Sequence, residues 1–114
     1  MIMDKEYEDN IEIEGDAAQD GRYVKQSHTW FHPWKKEVVV CEYRFRQPTV
    51  PEINRYTKET SKGAIPTANQ NLLTSIVHDD DRARLMSDIK EFPGISTALA
   101  NWVMKASGFA DLGN

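Results

Sequence analysis

The stretch Val39-Val40-Cys41-Glu42-Tyr43-Arg44-Phe45-Arg46-Gln47-Pro48-Thr49-Val50-Pro51-Glu52 changes rhythm at Gln47-Pro48-Thr49, and that change decides the fold. Before it, Val39, Cys41, Tyr43 and Phe45 alternate with Val40, Glu42, Arg44 and Arg46, the period of two of a half-buried strand. After it, Thr49-Val50-Pro51-Glu52 has the form of a capping box. The Thr49 hydroxyl is placed to accept from the N–H three residues on, and Glu52 to reach back to the Thr49 N–H. Pro51 is tolerated there because first-turn N–H groups have no helical partner. From this point to Gly108 the apolar repeats are helical.

Upstream, Arg22–Phe31 is rich in β-formers and reads as a second strand, with His32-Pro33-Trp34-Lys35-Lys36 as the connecting loop. The face Val39/Cys41/Tyr43/Phe45 is expected to pack on the helices, and the reverse, with Glu42, Arg44 and Arg46, to be wet. Downstream, a first helix runs from Val50 to about Ser61, with Val50, Ile53, Tyr56 and Thr60 on one stripe and Gly63 at its C-terminus. Ala64-Ile65-Pro66 reads as a connector, and Thr67 with Gln70 as a second capping box. The second helix carries Ala68, Leu72, Leu73, Ile76 and Val77. The third starts at His78-Asp79-Asp80-Asp81 and carries Leu85, Met86, Ile89 and Phe92. Pro93-Gly94 breaks it, and a fourth places Ile95, Leu99, Trp102, Val103 and Ala106 on one face. The expected fold is α+β: an N-terminal β-hairpin on a compact bundle of about four short helices.

Residues 1–20 hold eight acids and one base, a balance of −7, whereas the remainder has thirteen bases and ten acids, +3. They read as an acidic, largely disordered leader, in which Ile11-Glu12-Ile13 alternates as an edge strand would. Residues 21–108 form the single expected domain and 109–114 a short tail. The first residues have neither the basic nor the apolar region of a signal peptide. No apolar run approaches the about 20 residues of a membrane span, and the single Cys41 forms no internal disulfide. These features predict a soluble cytoplasmic protein.

No catalytic signature is present. No Gly-x-Ser-x-Gly elbow surrounds a Ser, and no Gly-rich loop follows a strand. His28, His32, His78 and Cys41 match no common zinc spacing, and Asp79-Asp80-Asp81 lacks the alternation and central Gly of a calcium loop, so it reads as helix capping. Neither metal nor cofactor is expected, and the chain reads as a non-enzyme. Trp30-Phe31-His32-Pro33-Trp34 concentrates more aromatic surface than one loop buries. Its members either cap the core or form a partner-binding patch around Trp30, Phe31 and Trp34.

Four segments resemble, in order and hydrophobic pattern, the small tail assembly chaperones of long-tailed bacteriophages. They are Tyr43-Arg44-Phe45-Arg46-Gln47-Pro48-Thr49-Val50-Pro51-Glu52-Ile53-Asn54-Arg55-Tyr56, Ala68-Asn69-Gln70-Asn71-Leu72-Leu73, His78-Asp79-Asp80-Asp81-Arg82, and Phe92-Pro93-Gly94-Ile95 leading to Leu99-Ala100-Asn101-Trp102-Val103-Met104. The resemblance covers about Val38 to Gly108. It leaves out the leader and the Trp-rich loop, and Trp102 stands where an aliphatic residue is expected. It implies a prophage-encoded binding protein that keeps a long helical tape-measure protein soluble and brings tail-tube subunits to it. A groove for an amphipathic helix would then draw on Leu73, Val77, Met86, Trp102 and Met104. The competing reading is a small nucleic-acid-binding regulator using Arg55, Lys58 and Lys62, although +3 over the folded part is a weak charge for phosphate neutralisation.

Overall fold

The computed structural model describes residues 22–109. The leader over residues 1–20, with its candidate edge strand Ile11-Glu12-Ile13, and the tail from residue 110 onward lie outside the described residues. Strands β1 (Tyr23–His32) and β2 (Glu37–Arg46) form an antiparallel hairpin in which Trp30 faces Val39 and His28 faces Cys41. Four helices follow: α1 (Val50–Ser61), α2 (Ile65–Ile76), α3 (Asp79–Glu91) and α4 (Gly94–Ala106). The expected α+β architecture is therefore the observed one. No helix among the described residues is long and apolar enough to cross a membrane.

The junction at Gln47-Pro48-Thr49 is built as its chemistry dictates. Thr49 N–H donates to Glu52 at 2.8 Å, the Glu52 N–H returns to the Thr49 hydroxyl, and Pro51 sits in the first turn. Glu52 also takes two hydrogen bonds from Arg46, at 2.9 and 2.8 Å. Those bonds, with further help from Thr49, outweigh desolvation and hold the Glu52 carboxyl down at about 2. At the far end of α1, Ala64 N–H bonds Glu59 O and Gly63 N–H bonds Thr60 O, a closing turn that requires Gly63 at φ 84°. The same turn closes α4 through Gly108 at φ 101°, with Phe109 N–H on Met104 O.

Cys41, Tyr43 and Phe45 are buried against Leu72, Leu73, Ile76, Leu85, Ile95 and Leu99. Asn69, also buried, accepts from the Tyr56 hydroxyl at 2.8 Å and donates to Thr97, so one amide ties α1, α2 and α4 together.

Several sequence expectations are corrected. The reverse of β2 is not simply wet, because Arg44 and Arg46 are drawn into ion pairs that leave their side chains 16% and 22% exposed. Arg44 Nε and Nη2 donate to Asp81, and the Arg44 backbone N–H donates to the same carboxylate at 2.9 Å. Asp81 is thus a buried interlayer partner, and the side chain that caps α3 is His78, whose Nδ1 accepts from Asp80 N–H. Burial pushes the Asp81 carboxyl up, but the Arg44 hydrogen bonds and the charges of Arg44 and Arg84 outweigh it and hold it below the usual carboxylate value. The second capping box does not form. The Gly63 turn already redirects the chain, so Ile65 and Pro66 become the first turn of α2, and no side chain caps it. Val50, Met86 and Ala106, expected on apolar stripes, are exposed and lie outside the core.

Two outcomes follow from this joint. Arg44→Ala strips the guanidinium from the Asp81 carboxylate, which keeps the residue-44 N–H and Arg84 at 3.1 Å, and is expected to cost about 2 kcal/mol, whereas Arg44→Met with Asp81→Leu costs less; denaturant unfolding measures both. Glu52 has a folded value of about 2 against an ordinary 4.5. Its contribution is therefore complete above 4.5 and is lost as the pH falls towards 2. Glu52→Gln is expected to be less stable than the parent near neutrality, and the gap to close across that window in urea titrations.

Candidate functional site

The hairpin tip meets the elbow between α3 and α4, and the alternation of β1 decides which aromatic goes where. Trp30 points to the helical side, and its ring stands edge-on to Phe92 at 5.1 Å and 82° while stacking on His28 at 5.3 Å. Phe31 points to the opposite face, where it pairs with Val38 beside Val40; the three are 58, 61 and 61% exposed. The cluster expected at residues 30–34 is therefore both core and surface, split by the pleat. His32 packs edge-on against Phe92 at 5.6 Å, and Trp34 against His32 at 5.9 Å. Trp34 itself rides on the turn Pro33–Lys36, closed by Lys36 at φ 55°, and is 87% exposed.

One charge at the tip, Lys35, is matched by Glu91 at the end of α3. Lys35 Nζ lies 5.1 Å from the Phe92 ring and is paired with Glu91, whose hydrogen bond raises the ammonium above its ordinary value. The Lys35 N–H donates to His32 Nδ1 at 3.1 Å, which fixes that ring. A groove of about 450 Å³ runs between Trp30, His32 and Trp34 on one side and Phe92, Pro93 and Ile95 on the other. A second hollow of about 470 Å³ lies across Pro93, lined by Pro66, Gln70, Met86, Ile89 and Lys90. Such walls grip apolar surface by shape and aromatic contact.

The other candidate residues fall into two groups. Met86, 45% exposed, lines the second hollow. Leu73, Val77 and Met104 are buried, because α2 and α4 turn these positions onto each other and onto β2, so they do not line an open helix groove. Val77 even forms a β-bridge with Phe45. Trp102 is partly buried near Phe45, at 6.3 Å. Cys41 is buried, and its thiol is pushed up by desolvation. Burial and a hydrogen bond to Asp88 raise Tyr43, over which Arg84 lies at 4.8 Å. Among the described residues no three His, Cys, Asp or Glu side chains gather as a metal site. Arg55 is turned towards α2, bonded to Ser75 Oγ at 2.8 Å. Sequence reasoning missed Phe92, Glu91 and Pro93 as groove residues, having read Phe92 as an apolar position of the third helix and Pro93-Gly94 as its break.

A family model described as a domain of unknown function, DUF6848, matches residues 29–114 and so takes in the whole aromatic tip. The solved structure of an uncharacterised protein, rbstp2171, from Bacillus stearothermophilus is similar with a TM-score of 0.65 and 22% identity. The similarity covers 89% of this chain and 98% of that one and is a likeness of fold. A comparison with curated proteins gave no match.

The two tryptophans separate by substitution. Trp30→Ala is expected to lower stability by about 2 kcal/mol through lost contact with Phe92 and Val39. Trp34→Ala is expected to stay within about 0.5 kcal/mol of the parent, and denaturant unfolding of the two variants measures the difference.

Proposed function

We propose that this chain, which belongs to the DUF6848 family, is a non-enzymatic binding protein of the phage tail-assembly-chaperone kind. On this reading it acts in the cytoplasm of a bacterial host and holds a long, helix-rich tape-measure protein, and with it tail-tube subunits, while a tail is built. The observation that carries the proposal is the groove at the hairpin tip, with Trp34 87% exposed above it. An aromatic left in water at a stable elbow costs solubility and adds nothing to the core, which is the mark of a surface kept for a partner. Because Lys35 is paired with Glu91, the groove suits the apolar face of an amphipathic helix better than a charged one. The sequence resemblance across the β2–α1 junction supports the same reading.

Co-expression with the tape-measure protein encoded by the same prophage tests it. The expected result is a soluble complex, with affinity at least about tenfold lower for Trp34→Ala at unchanged stability. A partner as insoluble with this chain as without it overturns the proposal. Retention on DNA that falls steeply between about 50 and 200 mM salt would support the nucleic-acid reading instead.

A further inference from the structure

Two of the three histidines use a ring nitrogen to accept a backbone N–H, and only an unprotonated nitrogen can do so. His78 Nδ1 accepts from Asp80 N–H at the start of α3, and His32 Nδ1 accepts from Lys35 N–H at 3.1 Å in the hairpin turn. The two rings differ in their surroundings. At His78 the Asp80 carboxylate lies 3.8 Å from the same nitrogen, so a proton that ends the cap finds an ion pair in place. At His32 the bond is the internal tie of the turn. Among the described residues no backbone-to-backbone hydrogen bond lies within Pro33–Lys36, and Pro33 has no N–H to offer. The turn also holds Lys36 at φ 55°, a left-handed conformation that a residue with a side chain adopts only at a cost. Trp34 leans edge-on against the His32 ring, which in turn packs on Phe92, and among the described residues His32 is the ring that Trp34 touches.

We propose that His32 is a proton-operated latch on the hairpin tip: neutral, it holds the turn and the Trp34 indole in place, and protonated, it releases both. A proton arriving at Nδ1 turns the acceptor into a donor aimed at the Lys35 N–H, so two N–H groups face each other and the bond is lost. The charged ring has other partners at hand. Glu37 stands opposite His32 in the β2 register, and Glu91 at the end of α3 lines the same groove. At Glu91 the imidazolium competes with the Lys35 ammonium, which is bound there in the neutral state. Lys35 and Lys36 are the cations of the turn, and His28 lies two positions back on the same face, stacked on Trp30. The α4 residues that line the groove, Gly94 and Ile95, carry no charge. The groove is therefore walled on the Trp34 side while His32 is neutral and loses that wall in acid. This inference concerns the free protein and stands whichever partner the groove holds.

An NMR titration of the full chain between about pH 8 and 5, the range in which imidazole changes charge, tests it. Protection of the Lys35 amide is expected to fall about tenfold, as the loss of one turn hydrogen bond predicts, with the same midpoint as the His32 ring signal. Cross-relaxation between the Trp34 and His32 rings is expected to vanish over the same step, while β2 and helix amides stay protected and report an intact fold. His32→Asn places an amide oxygen where Nδ1 stands and does not titrate, so its Lys35 amide is expected to stay protected throughout. His32→Phe has no acceptor, and its Lys35 amide is expected to be open at every pH. A Lys35 amide that stays protected as His32 titrates, or a Trp34 contact that survives protonation, overturns the proposal. The same transition in His32→Asn overturns it as well, and assigns the effect to Glu37, Glu91 or His28.

Discussion

Arg44 and Asp81 hold the hairpin to the helices by side chain and backbone at once, and the remaining contacts between the two layers depend on where that clamp sets them. Two strands alone do not bury enough surface to stay paired in water. The carboxylate takes the Arg44 backbone N–H as well as the guanidinium, so it fixes the height of β2 against α3 and not only its proximity. With that height fixed, Tyr43 reaches Asp88, Phe45 bridges to Val77, and Cys41, Tyr43 and Phe45 settle on α2 and α4. The neighbouring pair Arg46–Glu52 does the same for α1, and the Arg46 guanidinium also donates to Ser75 O on α2.

Anchoring at the base leaves the other end of the hairpin to project past the helices. Among the described residues the cover there is the α3–α4 elbow, which offers one ring, Phe92, to two partners on the β side, Trp30 and His32. The result is a tip whose inner half is held rigidly and whose outer half is wet. Rigid aromatic surface binds an apolar partner at little ordering cost, which is the physical ground for placing the proposed partner site at the tip and not in the tightly packed helical core. The helix positions first considered for that role, Leu73, Val77 and Met104, serve packing instead.

The hairpin, the four helices, the Thr49 cap and the glycine at each of two helix ends were legible in the chain because each depends on residues within a turn or two of one another. Periodicity assigned the β2 face correctly for the same reason. The second capping box failed where two local signals competed: the turn at Gly63 and Pro66 started α2 before Thr67 was reached. Asp81 was visible as an acid at a helix start, but its partner lies 37 residues away, and no local pattern records that separation.

Short-range chemistry, then, settled in advance which segments are strands and which are helices, and that the chain carries an aromatic excess at residues 30–34. It did not settle which of those aromatics would meet Phe92, that Arg44 and Arg46 would leave water, or that Met86 would stay in it. Those outcomes depend on how one layer is placed against another. That placement is decided by ion pairs and ring contacts between residues distant in sequence, whose energies exist only once the layers have met.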